Sequence, residues 1–439
     1  MANSFSKLRL AQLAQVIGFA AIAMGCAPEE ETPDPNAITI GALLPFTGKE
    51  AAIGRNLEQA LLLAVDDVNR AGGVGGRTLR VISRDSNSGS HRGLDELLQL
   101  LYNDEVAYLI GPEENELANE IVPDVKGLDV LNILPGYAAP PIEQTGSRGA
   151  WLRLAPSPGE VGCAMAKQAV RDGVQTTNAL ITLDDYNLTL ATDFSSRFQT
   201  LRGESLPSVT VHAGESSYVQ QIDQALDYGA ERTLLMAYPA TAATITTEWT
   251  ITGRRGSWYL SPLLHAEAFV QNIPFGALNG TAGLSPSLSL VSECGTADAA
   301  DQVTCRHDNA SAFAQHFSNH WNGDRPLPAA HFYYDAAVLL ALGLSRSLDD
   351  SGELPSAVRV RNSIRDLGGA EDQPVYWGDL SGPLTAVALG TPVHYVGAAA
   401  EYEFDRYGAA QHVIFDTWSI QNDGFKDTGS LKAVCNKTF

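Results

Sequence analysis

The residues best suited to metal chemistry are two cysteines and three histidines in the second half of the chain, namely Cys294, Cys305, His307, His316 and His320. His316 and His320 are four residues apart, so on a helix they would share one face and could bind zinc through their rings. The competing interpretation is a Cys294–Cys305 disulfide beside surface histidines, because the cysteines of exported proteins tend to oxidise. We expect the disulfide, no metal and no cofactor.

The chain lacks short motifs that identify common enzyme classes. It contains no Gly-x-Ser-x-Gly, no His-Glu-x-x-His and no Gly-Lys-Ser/Thr. Its glycine-rich segment, residues 72–76, follows a predicted helix, whereas a phosphate-binding loop follows a strand and precedes a helix. The sequence therefore predicts a protein that is not an enzyme.

Length and charge narrow the possible partners. A chain of 439 residues exceeds what one hydrophobic core usually organises, so we expect two lobes. The formal net charge of −22 argues against a nucleic-acid partner, because phosphate binding needs a basic surface. An apolar content of 44% is typical of a globular protein.

The amino terminus has the pattern of an export signal. Lys7 and Arg9 precede a largely apolar stretch, residues 10–24, which ends at Gly25-Cys26. This ending resembles a lipobox, so we expect residues 1–25 to be a lipoprotein signal peptide and Cys26 to carry lipid. An ordinary secretory signal is the alternative. Residues 26–37 are acidic and proline-rich, which predicts an extended tether from the cell envelope on its periplasmic or extracellular face.

The four cysteines that follow Cys26 form an even set. In an exported protein they predict two disulfides, with three possible connectivities. Cys294 and Cys305 bracket a short polar segment, so we expect this pair, and Cys163 with Cys435 follows by elimination.

Apolar periodicity predicts alternating strands and helices. Residues 39–44 have the length of a buried strand, and Leu57 to Val68 carry an apolar stripe at helical spacing. A strand–helix–strand unit usually builds a parallel sheet. Further strands are predicted at 79–83, 106–110, 131–134, 179–183, 209–212, 233–236, 258–260 and 282–284. Residues 285–309 are predicted as loop.

Several of these segments resemble a known family. The first strand ends Leu-Pro-Phe-Thr-Gly at 44–48, and after Gly54 a long helix ends Asp-Val-Asn-Arg-Ala-Gly-Gly-Val-Gly-Gly at 67–76. Ile-Gly-Pro at 110–112, Phe-Tyr-Tyr-Asp-Ala at 332–336 and Glu-Phe-Asp-Arg-Tyr-Gly at 403–408 continue the likeness. The chain resembles the type I periplasmic solute-binding proteins, in particular the branched-chain amino-acid-binding (leucine/isoleucine/valine-binding) family of ABC transporters.

The resemblance implies an α/β protein with the two-lobed type I fold, each lobe a parallel sheet flanked by helices, with three interlobe crossovers. The amino-terminal lobe would comprise 38–153 and 287–399, and the carboxy-terminal lobe 154–286 and 400–439. A small ligand would bind in the cleft by hinge closure and pass to an ABC permease in the membrane. The alternative is a non-transport lipoprotein on this fold that senses or regulates through protein contacts.

The resemblance also implies positions for the ligand contacts. In the family, hydroxyl groups hold the ligand's α-carboxylate and an acidic residue of the second lobe holds its ammonium group. Those positions correspond here to Glu114, Asn115, Ala138 and Leu263, none of the expected type. With the neighbouring acidic and aromatic residues, the expected ligand-binding set is Phe46, Glu113, Glu114, Asn115, Tyr137, Ala138, Tyr186, Tyr238, Leu263 and Tyr334.

Competing interpretations exist for these residues. The aromatic rings could be ordinary packing residues, and Glu113 with Glu114 could be a solvated helix start that the helix dipole favours. If the two glutamates face the cleft, they would repel a ligand carboxylate. We therefore expect a neutral or cationic ligand, and no tight binding of leucine, isoleucine or valine.

Overall fold

The computed structural model describes residues 36–48, 50–89, 91–125, 127–136, 150–253, 257–288, 299–349, 351–368, 372–411, 414–433 and 435, without the side chains of 52, 268 and 299–308. The expected signal peptide, Cys26 and nearly all of the tether lie outside these ranges. So do Tyr137, Ala138 and Cys294, as well as the side chain of Cys305. Among the described residues, no helix combines the length and apolar character needed to cross a bilayer.

A five-stranded, wholly parallel sheet forms the centre of the first lobe, in the spatial order β2-β1-β3-β4-β5. Its strands are β1 (Ile38–Leu44), β2 (Leu79–Asp85), β3 (Tyr108–Ile110), β4 (Leu131–Leu134) and β5 (Ala150–Arg153). The first four were expected from apolar runs. The fifth was not, because Ala-Trp-Leu-Arg is too short a segment to give a clear strand pattern.

The helices cover both faces of each sheet. In chain order the described helices are α1 (Ala51–Arg70), α2 (His91–Tyr102), α3 (Asn115–Val125), α4 (Pro158–Arg171), α5 (Asp185–Thr200), α6 (Val219–Asp227), α7 (Pro239–Thr252), α8 (Glu267–Val270), α9 (Ala299–His320), α10 (Pro328–Ser347), α11 (Ala357–Arg365) and α12 (Ser381–Ala388).

Strand β1 shows how the first lobe is layered. Ile38, Ile40 and Leu44 pack on one face of the sheet with α1 and α10, whereas Leu43 packs on the other face with α2 and α3. Successive side chains of a strand point to opposite faces, so a strand covered on both sides is apolar at nearly every position. The continuous apolar run that predicted this strand is therefore a consequence of the layering.

The second lobe is built on a larger, mixed sheet in the order β15-β14-β11-β10-β9-β6, with β7 and β8 both paired to β6. Helices α4 and α5 cover one face, and α6 and α7 cover the other. The strands of this sheet are β6 (Thr176–Thr182), β7 (Glu204–Ser205), β8 (Val209–Val211), β9 (Arg232–Met236), β10 (Trp258–Leu260), β11 (Ala282–Pro286), β14 (Ile414–Gln421) and β15 (Gly424–Lys432). The strands β12 (Gln373–Tyr376) and β13 (Val393–Val396) form a separate two-stranded parallel sheet.

The hairpin β14-β15 adds two antiparallel strands to an otherwise parallel arrangement. The prediction of a parallel sheet holds for the other strands of this sheet. It did not include the hairpin strands β14 and β15. The turn at Asn422 and Asp423 has positive φ values of 51° and 57° and is followed by Gly424. This combination is typical of a tight hairpin turn, so a local signal for the hairpin was present.

The loop prediction for residues 285–309 is wrong in its last part, because α9 begins at Ala299. Residues 289–298 lie outside the description. Among the described side chains of this helix, Phe313 and Phe317 pack in the core of the first lobe. The apolar pattern identified the part of the helix that contains these two residues.

Three segments connect the lobes, and the first and third are joined by backbone hydrogen bonds. The N–H of Arg153 donates to the carbonyl of Gly408 at 2.9 Å, and the N–H of Ala410 donates to the carbonyl of Arg153 at 2.8 Å. The Asp405 carboxylate accepts from the backbone N–H groups of Tyr407, Gly408 and Ala409. Main-chain hydrogen bonds thus join the first and third connections, and the Asp405 side chain fixes the turn of the third connection.

The disulfide between Cys163 and Cys435 is present, which confirms that prediction. It links α4 to the segment after β15. The predicted Cys294–Cys305 disulfide lies outside the described side chains and stays a prediction. His316 Nε2 forms a hydrogen bond with Asp67 Oδ2 at 2.8 Å, and this bond joins α9 to α1.

A buried carboxylate, Asp335 of α10, organises the segment that leads into the third connection. It accepts hydrogen bonds from the hydroxyls of Tyr395 and Tyr402 and from the backbone N–H groups of Ala398 and Ala399, at 2.7–2.8 Å. Burial raises the pKa of Asp335 to about 6, although each of these four bonds lowers it. Four donors around one carboxyl group match the ionised form at neutral pH.

We predict that Asp335→Asn lowers the free energy of unfolding by about 2–4 kcal/mol at pH 7, because an amide N–H would face a donor and leave it unpaired. Urea denaturation checks this. The matched control is Asp366→Asn at an exposed position, which should change stability by less than about 0.5 kcal/mol. Equal stability of the two variants would contradict the assigned role of Asp335.

Candidate functional site

Loops that follow parallel strands of both sheets meet between the lobes. Glu50 follows β1, Glu113 and Glu114 follow β3, Tyr186 follows β6 and Tyr238 follows β9. In open α/β sheets, ligands bind beyond the carboxyl ends of the strands. We call the following set the cleft cluster: Glu50, Glu113, Glu114, Glu116, Asp184, Tyr186, Tyr238 and Tyr333.

On the first-lobe side, two neighbouring glutamates are buried and bonded to hydroxyl groups. Tyr333 donates its phenolic proton to Glu113 Oε2 at 3.0 Å. Ser86 donates to Glu114 Oε1 at 2.5 Å. The glutamates are only 7% and 3% exposed, so the interpretation of a solvated helix start does not describe them.

Gly136, after β4, packs directly against Glu113. A Cβ atom at position 136 would lie 1.7 Å from Glu113 Oε2 and 2.3 Å from its Cδ. No side chain fits there while Glu113 keeps its place. The glycine therefore lets the backbone at position 136 lie directly against the carboxylate that Tyr333 holds.

Hydrogen bonds join the loop after β1 to the loop after β2 and fix the position of Glu50. Asp85 accepts from the backbone N–H groups of Phe46 and Thr47, at 2.9 and 3.1 Å, and from the Thr47 hydroxyl at 2.5 Å. Burial raises the pKa of Asp85, but these hydrogen bonds together outweigh it and leave the pKa below its usual value. Ser88 accepts from the backbone N–H of Glu50 at 2.9 Å.

On the second-lobe side, Asp184 begins α5. Its carboxylate accepts from the backbone N–H and the side-chain amide of Asn187, both at 2.9 Å. Tyr186 lies in the first turn of the same helix and is 4% exposed. Tyr238 stands at the start of α7. Asp184, Tyr186 and Tyr238 therefore all lie at helix N-termini on the side of the second lobe that faces the first lobe.

The electrostatic surroundings of Tyr238 include carboxylates of both lobes. Burial raises the pKa of Tyr238 most, and the charges of Glu50, Asp184 and Glu116 raise it further. Glu50 and Glu116 belong to the first lobe, whereas Asp184 belongs to the second. Burial likewise raises the pKa of Tyr333, followed by the charges of Glu113, Glu114 and Glu50. Both tyrosines therefore stay protonated at neutral pH, and Tyr333 donates its proton to Glu113.

The lobes also contact each other directly. The backbone N–H of Asp185, in α5, donates to Glu116 Oε1 of α3 at 3.3 Å. Arg325, in the loop before α10, lies 3.7 Å from Glu267 of α8, with both side chains exposed. These contacts cross the cleft from one lobe to the other.

The structure brings some of the expected ligand-binding residues together and separates others. Phe46 and Leu263 are half-buried and pack on the cores of the first and second lobe, respectively, whereas Asn115 begins α3 and is buried. Tyr334 is not part of the cluster. It is fully buried, and its hydroxyl donates to Asp67 at 2.8 Å, away from the cleft.

Four cleft residues were missed by sequence reasoning: Glu50, Glu116, Asp184 and Tyr333. Tyr333 and Tyr334 are neighbours on one helix and therefore point about 100° apart, a difference that the motif alone does not resolve. The acidic residues follow predicted strand ends, and this placement was an available signal. In the described part of the chain, no group of three or more His, Cys, Asp or Glu side chains is arranged to hold a metal.

We predict that Gly136→Ala displaces Glu113 from Tyr333 and lowers the free energy of unfolding by about 1–3 kcal/mol, because a buried carboxylate loses a donor. Thermal and urea unfolding measure the loss. Gly378→Ala is the matched control, since a Cβ there meets nothing within 4 Å. If both variants unfold alike, Gly136 does not hold Glu113 in place.

Comparison with known proteins places the chain in a family. The family model described as "periplasmic binding protein" matches residues 37–385. A substrate-binding protein of a chemotactic signal transduction system, BasB of Halobacterium salinarum, is 21% identical over 375 residues, or 83% of each chain. The Leu/Ile/Val-binding protein BraC3 of Rhizobium johnstonii is 27% identical over 109 residues, which is 25% of this chain and 29% of that protein.

Solved structures show the same fold at low identity. The leucine-binding protein LivK of Thermotoga maritima gives a TM-score of 0.70 at 16% identity, covering 90% of this chain and 99% of that one. An ABC transporter solute-binding protein of R. palustris, in complex with benzoate, gives 0.68 at 16% identity, covering 92% and 99%. With the family match over most of its length and the two-lobed α/β architecture, the chain belongs to the periplasmic binding protein family and has its type I fold.

Proposed function

We propose that this protein is an extracytoplasmic substrate-binding lipoprotein of an ABC-type importer, which closes its two lobes around a small amino-acid-like, polar or cationic ligand. The observation that carries the proposal is the cleft cluster, whose members come from both lobes. Glu50 and Glu116 of the first lobe act electrostatically on Tyr238 of the second. A ligand between these groups would contact both lobes, and such shared contacts favour the closed arrangement.

The proposed lobes are 38–153 with 287–399, and 154–286 with 400–439. The strands of the two sheets support this division, because β1–β5 lie in the first set and β6–β11, β14 and β15 lie in the second. The bonded first and third connections form the proposed hinge. Closure would then be a rigid-body rotation of the lobes about these segments.

The role in transport is supported by the family and its solved members. They include a leucine-binding protein, a branched-chain amino-acid transporter protein of Streptococcus pneumoniae in complex with isoleucine, and R. palustris proteins in complex with benzoate or 3,4-dihydroxybenzoic acid. One fold thus serves different ligands, and the loops at the cleft decide which ligand binds. We propose an ABC permease as the membrane partner.

A sensory role is the second candidate. The Halobacterium relative, whose match covers 83% of both chains, belongs to a chemotactic signal transduction system. In that role the ligand-bound form would contact a membrane receptor instead of a permease. Cross-linking in membranes followed by mass spectrometry of the captured partner separates the two roles, since a permease supports transport and a signal transducer supports sensing.

We predict that the mature chain begins at Cys26 and carries lipid there, because Gly25-Cys26 follows an apolar export signal. The protein should partition into the detergent phase with a blocked amino terminus. Cys26→Ser should move it to the aqueous phase. A mature form that begins at another residue would contradict the lipoprotein assignment.

We predict that Tyr333→Phe weakens ligand retention about tenfold or more, because it removes the hydroxyl that positions a charged cleft residue. The fraction of protein that keeps its co-purified ligand, measured by native mass spectrometry, checks this. Tyr334→Phe is the matched control on the same helix, because its hydroxyl contacts Asp67 outside the cluster. Equal retention by the unaltered chain and both variants would argue against a ligand site at the cleft cluster.

A further inference from the structure

His394 is a buried histidine that lies outside the cleft cluster. It is the second residue of β13 and is 6% exposed. Among the described residues, neither of its ring nitrogens has a hydrogen-bond partner at the usual distance. A buried polar group without such a partner costs free energy, so another interaction must stabilise this ring.

A carboxylate at ion-pair distance supplies this interaction. Glu401 Oε2 lies 3.6 Å from Nε2 of His394, and the side chains of His394 and Glu401 are 8% and 16% exposed. A protonated imidazole attracts a carboxylate at this distance, whereas a neutral imidazole has no net charge to do so. Because both side chains are largely shielded from water, salt weakens this pair less than it weakens a pair on the surface.

The charges that act on His394 are negative and come from both sides of it in the chain. The interaction with Glu401 raises the pKa of His394 most, burial lowers it, and the charges of Glu401, Glu403 and Asp372 raise it further. The pKa therefore lies above its ordinary value. Asp372 immediately precedes β12, which pairs with β13. Folding thus favours the protonated ring.

The other elements packed against β13 bring few titratable groups. Asp335 of α10 accepts from the hydroxyl of Tyr395, the next residue of the strand. The turn after α11 contacts β13 through the N–H of Tyr395, which donates to the carbonyl of Leu367, and its Asp366 is exposed. Helix α12, which also packs on this strand, has no titratable side chain. The protonation of the ring thus depends mainly on the three carboxylates named above.

Two of these carboxylates lie at the base of the third connection. Glu401 forms an antiparallel bridge with Val396 of β13, and the carbonyl of Glu403 accepts from the N–H of Gln411 at 2.9 Å. Glu403 and Gln411 are thus adjacent where this connection begins and ends. The ion pair of His394 with Glu401 adds a side-chain link to the backbone contacts that hold this segment.

We propose that the contact between His394 and Glu401 is a pH-sensitive switch in the third connection: the protonated ring holds residues 397–403 against β13, and loss of the ring proton loosens them. This inference goes beyond the proposed function, because the contact needs no ligand. Only its consequence, a dependence of lobe motion on pH, rests on the proposed function.

The direction of the pH effect follows from the carboxylates around the ring. The stabilisation by protonated His394 is complete below the ordinary histidine pKa of about 6.5, and it is lost as the pH rises through the raised pKa of the folded protein. Asp335, which also holds this segment, has a pKa of about 6. It is mainly ionised above pH 6.5, so a higher pH range reports chiefly on His394.

The test is amide hydrogen exchange of the full mature chain between about pH 6.5 and 8.5, read by mass spectrometry and normalised to the rates of an unstructured peptide. We expect the protection of residues 397–403 to fall about fivefold or more across this range, since a partly buried ion pair is lost. A peptide that contains β9 of the second lobe should not show this step. Constant protection of residues 397–403 would overturn the proposal.

Variants identify the group that titrates. His394→Gln should remove the step and give low protection at every pH, because its side chain does not ionise. His91→Gln is the matched control, since His91 lies 3.3 Å from Glu120 but its side chain is 96% exposed. This control should keep the step. A step that persists in His394→Gln would assign the switch to another group and overturn the proposal.

A second variant covers the case in which His394→Gln fails to fold by circular dichroism. Glu401→Gln removes the charge that favours the protonated ring, so the step should shrink and move to lower pH. An unchanged step in this variant would also overturn the proposal. These readouts are independent of ligand binding, so failure of the switch leaves the proposed function standing, and failure to find a ligand leaves the switch standing.

Discussion

The hydrogen bonds between Arg153 and the 408–410 segment are the constraint on which the two-lobed arrangement depends. They join the first and third connections by main-chain atoms, while each lobe keeps its own core. Asp335 supports this region from inside the first lobe, because four donors fix the chain between β13 and the third connection. A buried carboxylate with a complete set of donors stabilises one local geometry and excludes others.

Buried carboxylates also occur in the cleft, where their identified hydrogen bonds differ from those of Asp335. Asp335 accepts from two backbone N–H groups and two tyrosine hydroxyls, whereas Glu113 and Glu114 accept from the hydroxyls of Tyr333 and Ser86. Bonds to backbone donors fix the course of the chain, and bonds to side-chain hydroxyls fix the orientation of a carboxylate. Asp335 therefore holds the fold, and the hydroxyl bonds of the two glutamates set the geometry of the cleft.

The fold can carry different residue types in the cleft, because the packing of the sheets does not depend on the loop residues that line the cleft. The strands end at fixed positions, and the residues that follow them face the cleft whatever their type. Glu114 and Leu263 occupy positions where the family resemblance implies other residue types, yet both lobes keep intact apolar cores. Ligand choice can thus change through a few loop residues without a change in the layers beneath them.

The sequence by itself determined the elements whose patterns are local, namely the buried strand β1, the helix α1 and the strand β4. The disulfide between Cys163 and Cys435 joins residues 272 positions apart, and it was predicted by elimination from the number of cysteines. A face of a strand or helix that packs against the core must carry apolar side chains, so the spacing of apolar residues identifies that face. Tertiary structure alone decided that Glu113 and Glu114 are buried, that α9 begins within a polar segment, and that Tyr333 faces the cleft while Tyr334 enters the core. The contacts of Tyr333 with Glu113 and of Tyr334 with Asp67 join residues 220 and 267 positions apart, and no local pattern encodes such a contact.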